Sequence, residues 1–146
     1  MNTISEVEIS YKPPVRVGKQ EYIKSSTQAD KVLRQVWSDD LEYREEMYVL
    51  MLNRANKMIG YNRISVGGTA GTIVDVKILF QLLLKTNTQS FILSHNHPSG
   101  KLKPSHQDIR LTKKVKEASE FLEINFLDHL IMTGVTSYSM ADEGDM

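Results

Sequence analysis

Three histidines and one aspartate fall within residues 94–108, which read SHNHPSGKLKPSHQD. His95 and His97 lie two positions apart at the end of an apolar stretch with the pattern of a buried strand. Side chains at i and i+2 of a strand point the same way, so both imidazoles can reach one point. Asp108 follows in the first turn of a predicted helix and could complete the set. Two neutral nitrogens and one anionic oxygen suit a tetrahedral catalytic zinc with a fourth position for water.

A structural interpretation of the same segment is also open. Ser105-x-x-Asp108 has the form of a capping box, in which the serine accepts from a backbone N–H and the acid favours the positive helix end. An H-x-H pair alone is more often loop polarity than a pair of ligands. Capping does not exclude metal binding, because a carboxylate at the start of a helix can still face a metal.

The composition limits the classes of protein to consider. The chain has 146 residues, about 40% of them hydrophobic, which fits one domain with a real core. The 18 lysines and arginines balance 18 acids, so no global field attracts nucleic acid or a membrane. Cysteine is absent, which excludes disulfides, thiolate nucleophiles and zinc sites with sulfur ligands. It also disfavours nucleobase deamination, whose usual zinc ligands include cysteines.

No targeting or membrane segment is visible in the sequence. The N-terminus, MNTISEVEIS, lacks an apolar core of signal-peptide length, and no run approaches the ~20 apolar residues of a membrane span. We therefore expect a soluble cytoplasmic protein without a membrane partner.

The chain divides into an N-terminal arm, residues 1–26, and one predicted domain, residues 27–146. The arm is polar and contains two consecutive prolines, although V-E-I-S-Y and P-V-R-V alternate in the manner of short edge strands. From Thr27 to Trp37 apolar residues recur at helical intervals behind a threonine suited to capping. This pattern predicts the first helix.

Helices and strands alternate through the domain. Residues 47–66 have the pattern of a hairpin, further helices are predicted over 76–84 and 105–122, and strands lead into His95 and cover 125–133. The G-G-T-A-G-T run after the hairpin matches neither G-x-G-x-x-G nor G-x-x-x-x-G-K-[ST], so a tight turn explains it better than a phosphate cradle. The alternation predicts an α/β sandwich with a mixed sheet, antiparallel at the hairpin and parallel across the helical crossovers.

The motif resembles a known family. H-N-H-P, then P-S-x-x-D, matches the H-x-H-x7-S-x2-D motif of JAMM or MPN-plus metalloproteases in every defined position. R-E before V-L-M-L-N, I-S-V-G-G-T, S-H-N-H-P-S-G, D-H-L-I and Y-S-M-A-D-E-G resemble the RadC-like proteins of bacteria and their mobile elements, roughly over residues 27–146. The resemblance implies a three-layer α-β-α sandwich of the cytidine-deaminase-like or JAB/MPN fold.

The chain departs from the family pattern in two places. Full-length RadC proteins usually carry an N-terminal helix-hairpin-helix region suited to DNA, and only a short arm precedes the domain here. Where relatives commonly have I-S-x-G-T, this chain has I-S-V-G-G-T, and we expect the extra glycine to adjust a loop.

The resemblance implies one zinc ion per chain, held by His95, His97 and Asp108. It also implies two catalytic residues. Ser105 would donate a hydrogen bond to the oxyanion, with the helix N-cap as its alternative role. A glutamate just ahead of the first core strand would act as general base.

Three glutamates could supply that base: Glu42, Glu45 and Glu46. The position of the glutamate in the family motif selects Glu45. Period-two alternation places Glu45 and Glu46 on opposite faces, so at most one of them can face the site. A solvated position at the entry of the strand is the alternative for Glu45.

The other polar residues near the motif are expected to support it or to face solvent. Asn96 should point away from the metal and fix the loop, and His106 should be exposed. His129, in L-D-H-L-I, is predicted to be a structural histidine, with support of a metal ligand as the alternative. A basic neighbourhood beside the site is usually a solvated face, but it could attract an acidic partner or nucleic acid at low salt. It comprises Lys101, Lys103, Arg110, Lys113, Lys114 and Lys116.

Three functions compete. The leading hypothesis is a zinc-dependent metallohydrolase, by resemblance a peptidase or isopeptidase acting on a peptide or an isopeptide-linked protein. The second is a DNA-associated protein of repair or mobile-element transfer whose metal is structural or nucleolytic; the basic residues favour it, and the neutral net charge counts against it. The third, non-haem iron in oxygen chemistry, uses the same ligand types but lacks a predicted cosubstrate pocket.

Overall fold

The computed structural model describes residues 4–12, 14–67 and 74–146. In this part of the chain the α-helices are α1 (Ser26–Val36), α2 (Val76–Lys85) and α3 (His106–Phe121). The strands are β1 (Glu46–Leu52), β2 (Met58–Val66), β3 (Ser90–Asn96), β4 (Asn125–Met132) and β5 (Ser137–Ser139). A short 3-10 helix, Val17–Lys19, lies in the arm.

The five strands form one mixed sheet in the order β2-β1-β3-β4-β5. The predicted hairpin pairs β1 with β2 in antiparallel fashion, and β3 and β4 are parallel neighbours joined through α3. The crossover from β2 through α2 to β3 does not join neighbours, because β1 lies between them and is antiparallel to β3. The end of β3 therefore lies between β1 and β4, in the middle of the sheet.

Helices cover both faces of the sheet. The side chains of β1 alternate between the two faces and contribute to an apolar cluster on each. On one face Tyr48, Leu50 and Leu52 pack with residues of α1 such as Leu33. On the other face the residues of β1 pack with α2 and α3; this set comprises Met47, Val49, Met51, Leu79, Leu83 and Val115. Strands β1 and β3 are buried along their whole length, as expected for strands covered on both faces. The prediction of a three-layer α-β-α sandwich with a mixed sheet is confirmed.

Four local predictions need correction or lie outside the described residues. The cap of α1 is Ser25, whose side chain accepts from the Gln28 N–H, and the choice of Thr27 was wrong. Leu84, one of the apolar residues that predict the helix over 76–84, does not lie on its buried face, since 54% of it is exposed. Strand β5 was not predicted, because three residues are too few to display a period. The glycine run predicted to form a tight turn falls largely in residues 68–73, outside those described.

The prediction of edge strands in the arm was also wrong. Across residues 4–12 and 14–26, the β-structure is an isolated bridge between Tyr22 and Lys57. Val7 and Ile9, which carry the alternating pattern, are 85% and 80% exposed. Without a partner surface to bury them, the alternation of these residues does not produce a strand.

None of the helices in the described residues is long and apolar enough to cross a membrane.

Candidate metal centre

The end of β3 brings the two predicted histidine ligands together. His95 is the penultimate residue of the strand and His97 follows its last residue, so their side chains share one face of the sheet. Their Nε2 atoms lie 2.9 Å apart. His95 is almost completely buried, whereas His97 keeps 12% of its side chain exposed. His95 is therefore the more deeply buried of the two, and His97 is partly open to solvent.

The first turn of α3 supplies Asp108. Its Oδ1 lies 3.1 Å from His95 Nε2 and its Oδ2 lies 3.2 Å from His97 Nε2. The capping box is present as well: the Ser105 N–H donates to Asp108 Oδ2 over 2.7 Å, and the Asp108 N–H donates to Ser105 Oγ over 3.1 Å. The cap thus fixes the same carboxylate that faces the two imidazoles.

The spacing of these atoms fits one ion. Ligand atoms about 2.0 Å from a tetrahedral zinc lie ~3.3 Å from one another. The two imidazole nitrogens are 2.9 Å apart, and each lies 3.1–3.2 Å from a different oxygen of the Asp108 carboxylate. His95, His97 and Asp108 each offer a ligand atom within 4.8 Å of the others. The donor set of two nitrogens and one oxygen also suits zinc.

The second nitrogen of each imidazole is occupied. His97 Nδ1 lies 2.7 Å from the carbonyl of Lys101, which can only accept, so Nδ1 carries the hydrogen and Nε2 of a neutral ring is free to bind a metal. His95 Nδ1 lies 2.7 Å from His129 Nε2. Both rings are thereby oriented with Nε2 toward Asp108.

Contacts among the three side chains shift the pKa values of Asp108 and His97. Burial raises the pKa of Asp108, but hydrogen bonds from His95 and His97, the charge of His95 and the Ser105 N–H lower this pKa far more, so the net shift is strongly downward. Burial lowers the pKa of His97, yet its bonds to Asp108 and to the Lys101 carbonyl, with the charges of Asp108 and Glu45, give a net rise. A hydrogen on Nε2 of either ring lies between the side chains where a metal ion would bind, so metal binding would displace it.

The predicted base lies beside these residues. A cleft of about 580 Å³ is lined by Glu45, His95, His97, Ser105 and Asp108 among others. Glu45 lies two residues before Met47, whose Cα pairs with that of His95, so alternation turns both side chains to the face of the histidines.

The two other candidate glutamates point elsewhere. Glu46 is fully buried on the opposite face, where Ser38 Oγ donates to its carboxylate over 2.5 Å and Arg63 Nη1 lies 3.4 Å away. Glu42 packs against Gly134, where an added Cβ would lie 2.5 Å from its side chain. Of the three glutamates considered, the structure brings Glu45 alone into the cleft.

Asn96 separates the two histidines in sequence and points to the other face, as expected. Its Nδ2 donates to the carbonyls of Leu41 and Arg44 over 2.7 and 2.9 Å, and its Oδ1 accepts from the Glu46 N–H over 2.7 Å. The side chain therefore fastens the segment that carries Glu45 to the strand that carries His95.

The remaining predicted residues divide between the cleft and the surface. His106 is exposed, as expected. Lys101 and Lys103 line the cleft, and the other basic residues, Arg110, Lys113, Lys114 and Lys116, lie exposed on α3. His129 is fully buried between His95 and Thr112. The contact with His95 corresponds to the alternative role given to His129, support of a metal ligand. The sequence feature that points to it is a histidine inside a buried strand.

Comparison with known proteins agrees with the motif. The model of the RadC-like JAB domain family matches residues 23–145. A UPF0758 protein of Flavobacterium johnsoniae is 52% identical over 100 residues, which cover 68% of this chain and 44% of the relative. A UPF0758 protein of Porphyromonas gingivalis is 35% identical over 146 residues, 99% of this chain and 63% of the relative. The chain spans less than two thirds of the length of these relatives.

Proposed function

Since the chain belongs to the RadC-like JAB domain family, we propose that it is a zinc-dependent hydrolase of amide bonds, with a peptide or an isopeptide-linked protein as substrate. The observation that carries this proposal is the mutual spacing of His95, His97 and Asp108 beside a carboxylate that lines the same cleft. When bound there, zinc would polarise the scissile carbonyl and lower the pKa of water toward ~7.

Glu45 acts as the general base in this proposal. Its carboxylate takes a proton from the attacking water as the new C–O bond forms, and it delivers this proton to the nitrogen of the leaving amine as the C–N bond breaks. Its place in the cleft and its electrostatic effect on His97 support this role. Glu46, on the other face of the sheet, cannot reach the same water.

Ser105 has the second role. Its Oγ already accepts from the Asp108 N–H, and accepting leaves its own hydrogen free for donation. In the cleft this hydrogen would bond the oxygen of the scissile carbonyl as negative charge develops on it. Lys101 and Lys103 line the same cleft and favour a substrate with an acidic group near the scissile bond.

The decisive experiment compares two glutamates. Purified protein is loaded with zinc, assayed on a panel of peptides and isopeptide-linked conjugates, and compared with Glu45→Gln and with the control Glu42→Gln. We expect one zinc per chain in all three proteins and a rate ~10²–10⁴ lower in Glu45→Gln alone. Parent-like activity of Glu45→Gln would remove the base from the proposal. If the parent protein binds no zinc at equimolar metal, the proposed metallohydrolase function is wrong.

A second candidate is a DNA-associated role in repair or mobile-element transfer, with the metal structural or nucleolytic. The observation that favours it is the basic surface of α3, where Arg110, Lys113 and Lys114 are exposed. Binding to duplex DNA should then weaken steeply as salt rises. Absence of binding even at ~50 mM salt would exclude this candidate.

A further inference from the structure

Behind the candidate metal centre, buried side chains continue the hydrogen-bond network of His95. His95 Nδ1 lies 2.7 Å from His129 Nε2, and His129 Nδ1 lies 2.7 Å from Thr112 Oγ1. Thr112 Oγ1 in turn lies 3.7 Å from Met140 Sδ. All four residues are at most 2% exposed. The reaction proposed above uses none of the last three.

The chain of contacts has a direction, because each link holds one hydrogen. A neutral imidazole carries one N–H, a hydroxyl carries one O–H, and a thioether only accepts. When Thr112 gives its hydrogen to Met140 Sδ, its oxygen accepts from His129 Nδ1–H. His129 Nε2 then carries no hydrogen and accepts from His95 Nδ1–H. His95 Nε2 then needs no hydrogen to keep its ring neutral, so the hydrogen that it gives to Asp108 in the metal-free site can be replaced by a metal ion.

The reverse direction would disable the ligand. If Thr112 donates to His129 Nδ1, the hydrogen of His129 moves to Nε2 and is donated to His95 Nδ1. A neutral His95 must then carry its hydrogen on Nε2, where it blocks metal binding. Because these groups are buried, water does not offer them other partners, so Met140 Sδ, which can only accept, favours the first direction over the reverse one.

We propose that His129, Thr112 and Met140 are positioning residues that fix the tautomer of His95, with Met140 as the terminal acceptor that sets the direction. This inference rests on the metal site of the proposed function. It distinguishes the two histidine ligands: a backbone carbonyl, which cannot reverse, fixes His97, whereas a chain of side chains fixes His95.

The first test reads the tautomer directly. Nitrogen-15 NMR of metal-free protein, at a pH where His129 is neutral, identifies which of its ring nitrogens carries the hydrogen. We expect Nδ1–H in the parent, and Nε2–H in Met140→Leu, which removes the sulfur at similar volume. Met132→Leu is the matched control, since Met132 is equally buried but belongs to the apolar cluster on the opposite face. A parent with Nε2–H on His129 would overturn the inference.

The second test measures zinc affinity by competition with a chelator. Met140→Leu should bind zinc about tenfold more weakly, and Thr112→Val ~10–100-fold more weakly, whereas Thr112→Ser should restore parent affinity. If Thr112→Val binds as tightly as the parent, the inference fails even where Met140→Leu does not fold. A parent that binds no zinc rejects the proposed function, whereas a zinc-binding parent with unaffected variants rejects this inference alone.

Discussion

The two sides of the cleft are built in different ways. On the ligand side, which comprises His95, His97 and Asp108, each side chain has a further hydrogen bond that fixes its direction. On the base side, residues 41–46, Glu45 is held through its backbone: the Gly67 N–H donates to the carbonyl of Glu45 over 2.8 Å, and Asn96 holds the flanking residues. Within the described residues, the carboxylate of Glu45 itself makes no hydrogen bond.

This difference matches what the proposed function requires of each side. A metal ion needs donor atoms placed within a few tenths of an ångström, which requires partners for every ligand. A general base must instead reach water and then the leaving nitrogen, so a side chain held only through its backbone is suited to the task. Substitutions on the ligand side should therefore change zinc affinity, and those on the base side should change the rate with zinc retained.

The largest effect is expected for Asp108→Ala. It removes a proposed ligand, so zinc affinity should fall by more than the ~10–100-fold typical of partners of ligands, and hydrolysis should be lost. It also breaks the capping box, at a cost of about 1 kcal/mol in the free energy of unfolding. The matched control is Asp75→Ala, which removes the cap of α2 that accepts from the Lys77 N–H. Equal zinc loss in both variants would show that capping, not ligation, is the role of Asp108.

Ser105 should affect the rate more than the affinity. Both Ser105→Ala and Ser105→Gly remove the hydroxyl donor, so the rate should fall ~10²–10³ with zinc retained. Alanine at the cap costs about 1 kcal/mol in the free energy of unfolding, whereas glycine costs only a few tenths. Equal rates in the two variants would identify the lost donor; rates that follow stability, as in Ser25→Ala at the cap of α1, would leave Ser105 as a cap alone.

The geometry of the ligand side was largely predictable, because it depends on short-range rules. Alternation along one strand brings His95 and His97 together, and a capping box spans only one helical turn. The bond of His97 to the Lys101 carbonyl was not predictable, since a backbone acceptor has no signature in the sequence. The contact from His95 to His129 spans 34 residues and depends on the parallel pairing of β3 with β4.

The fold, too, was predictable where it depends on local patterns and not where it depends on tertiary packing. Helices and buried strands were predicted within a residue or two of their ends, since burial on a sheet or helix imposes a period on the sequence. The position of β1 between β2 and β3 was not predicted, because pairing order follows from tertiary packing. In the arm, the alternating residues Val7 and Ile9 are exposed and form no strand, so alternation alone is not sufficient to predict one.

Asn96→Ala tests how the two sides are joined. It leaves the carbonyls of Leu41 and Arg44 and the Glu46 N–H without their partner, so the free energy of unfolding should fall by about 2 kcal/mol. Displacement of the segment that carries Glu45 should lower the rate by up to ~100-fold. Zinc affinity should change only a few-fold, as measured by chelator competition. Affinity lost in proportion to the rate would mean that Asn96 supports the ligand side as well.

The smallest effect is the pH dependence of stability in the metal-free protein. The pKa of His97 is raised on folding, so its contribution to stability is fully present below about pH 6.5 and is lost as the pH rises through the folded value. His129 acts in the opposite sense: burial lowers its pKa, and below about pH 6.5 the unfolded chain binds a proton that the folded chain does not.

Because these two contributions oppose each other, the informative quantity is the difference between parent and variant. The free energy of unfolding of the parent minus that of His97→Ala, measured by urea titration at each pH, should decrease as the pH rises from 6 to ~8.5. The parent minus Asn96→Ala should be constant over this range, since the hydrogen bonds of Asn96 involve backbone groups that do not titrate. A pH-dependent difference for Asn96→Ala would mean that the titration of the ligand side is transmitted to the base side, and the two could no longer be treated as separate structures.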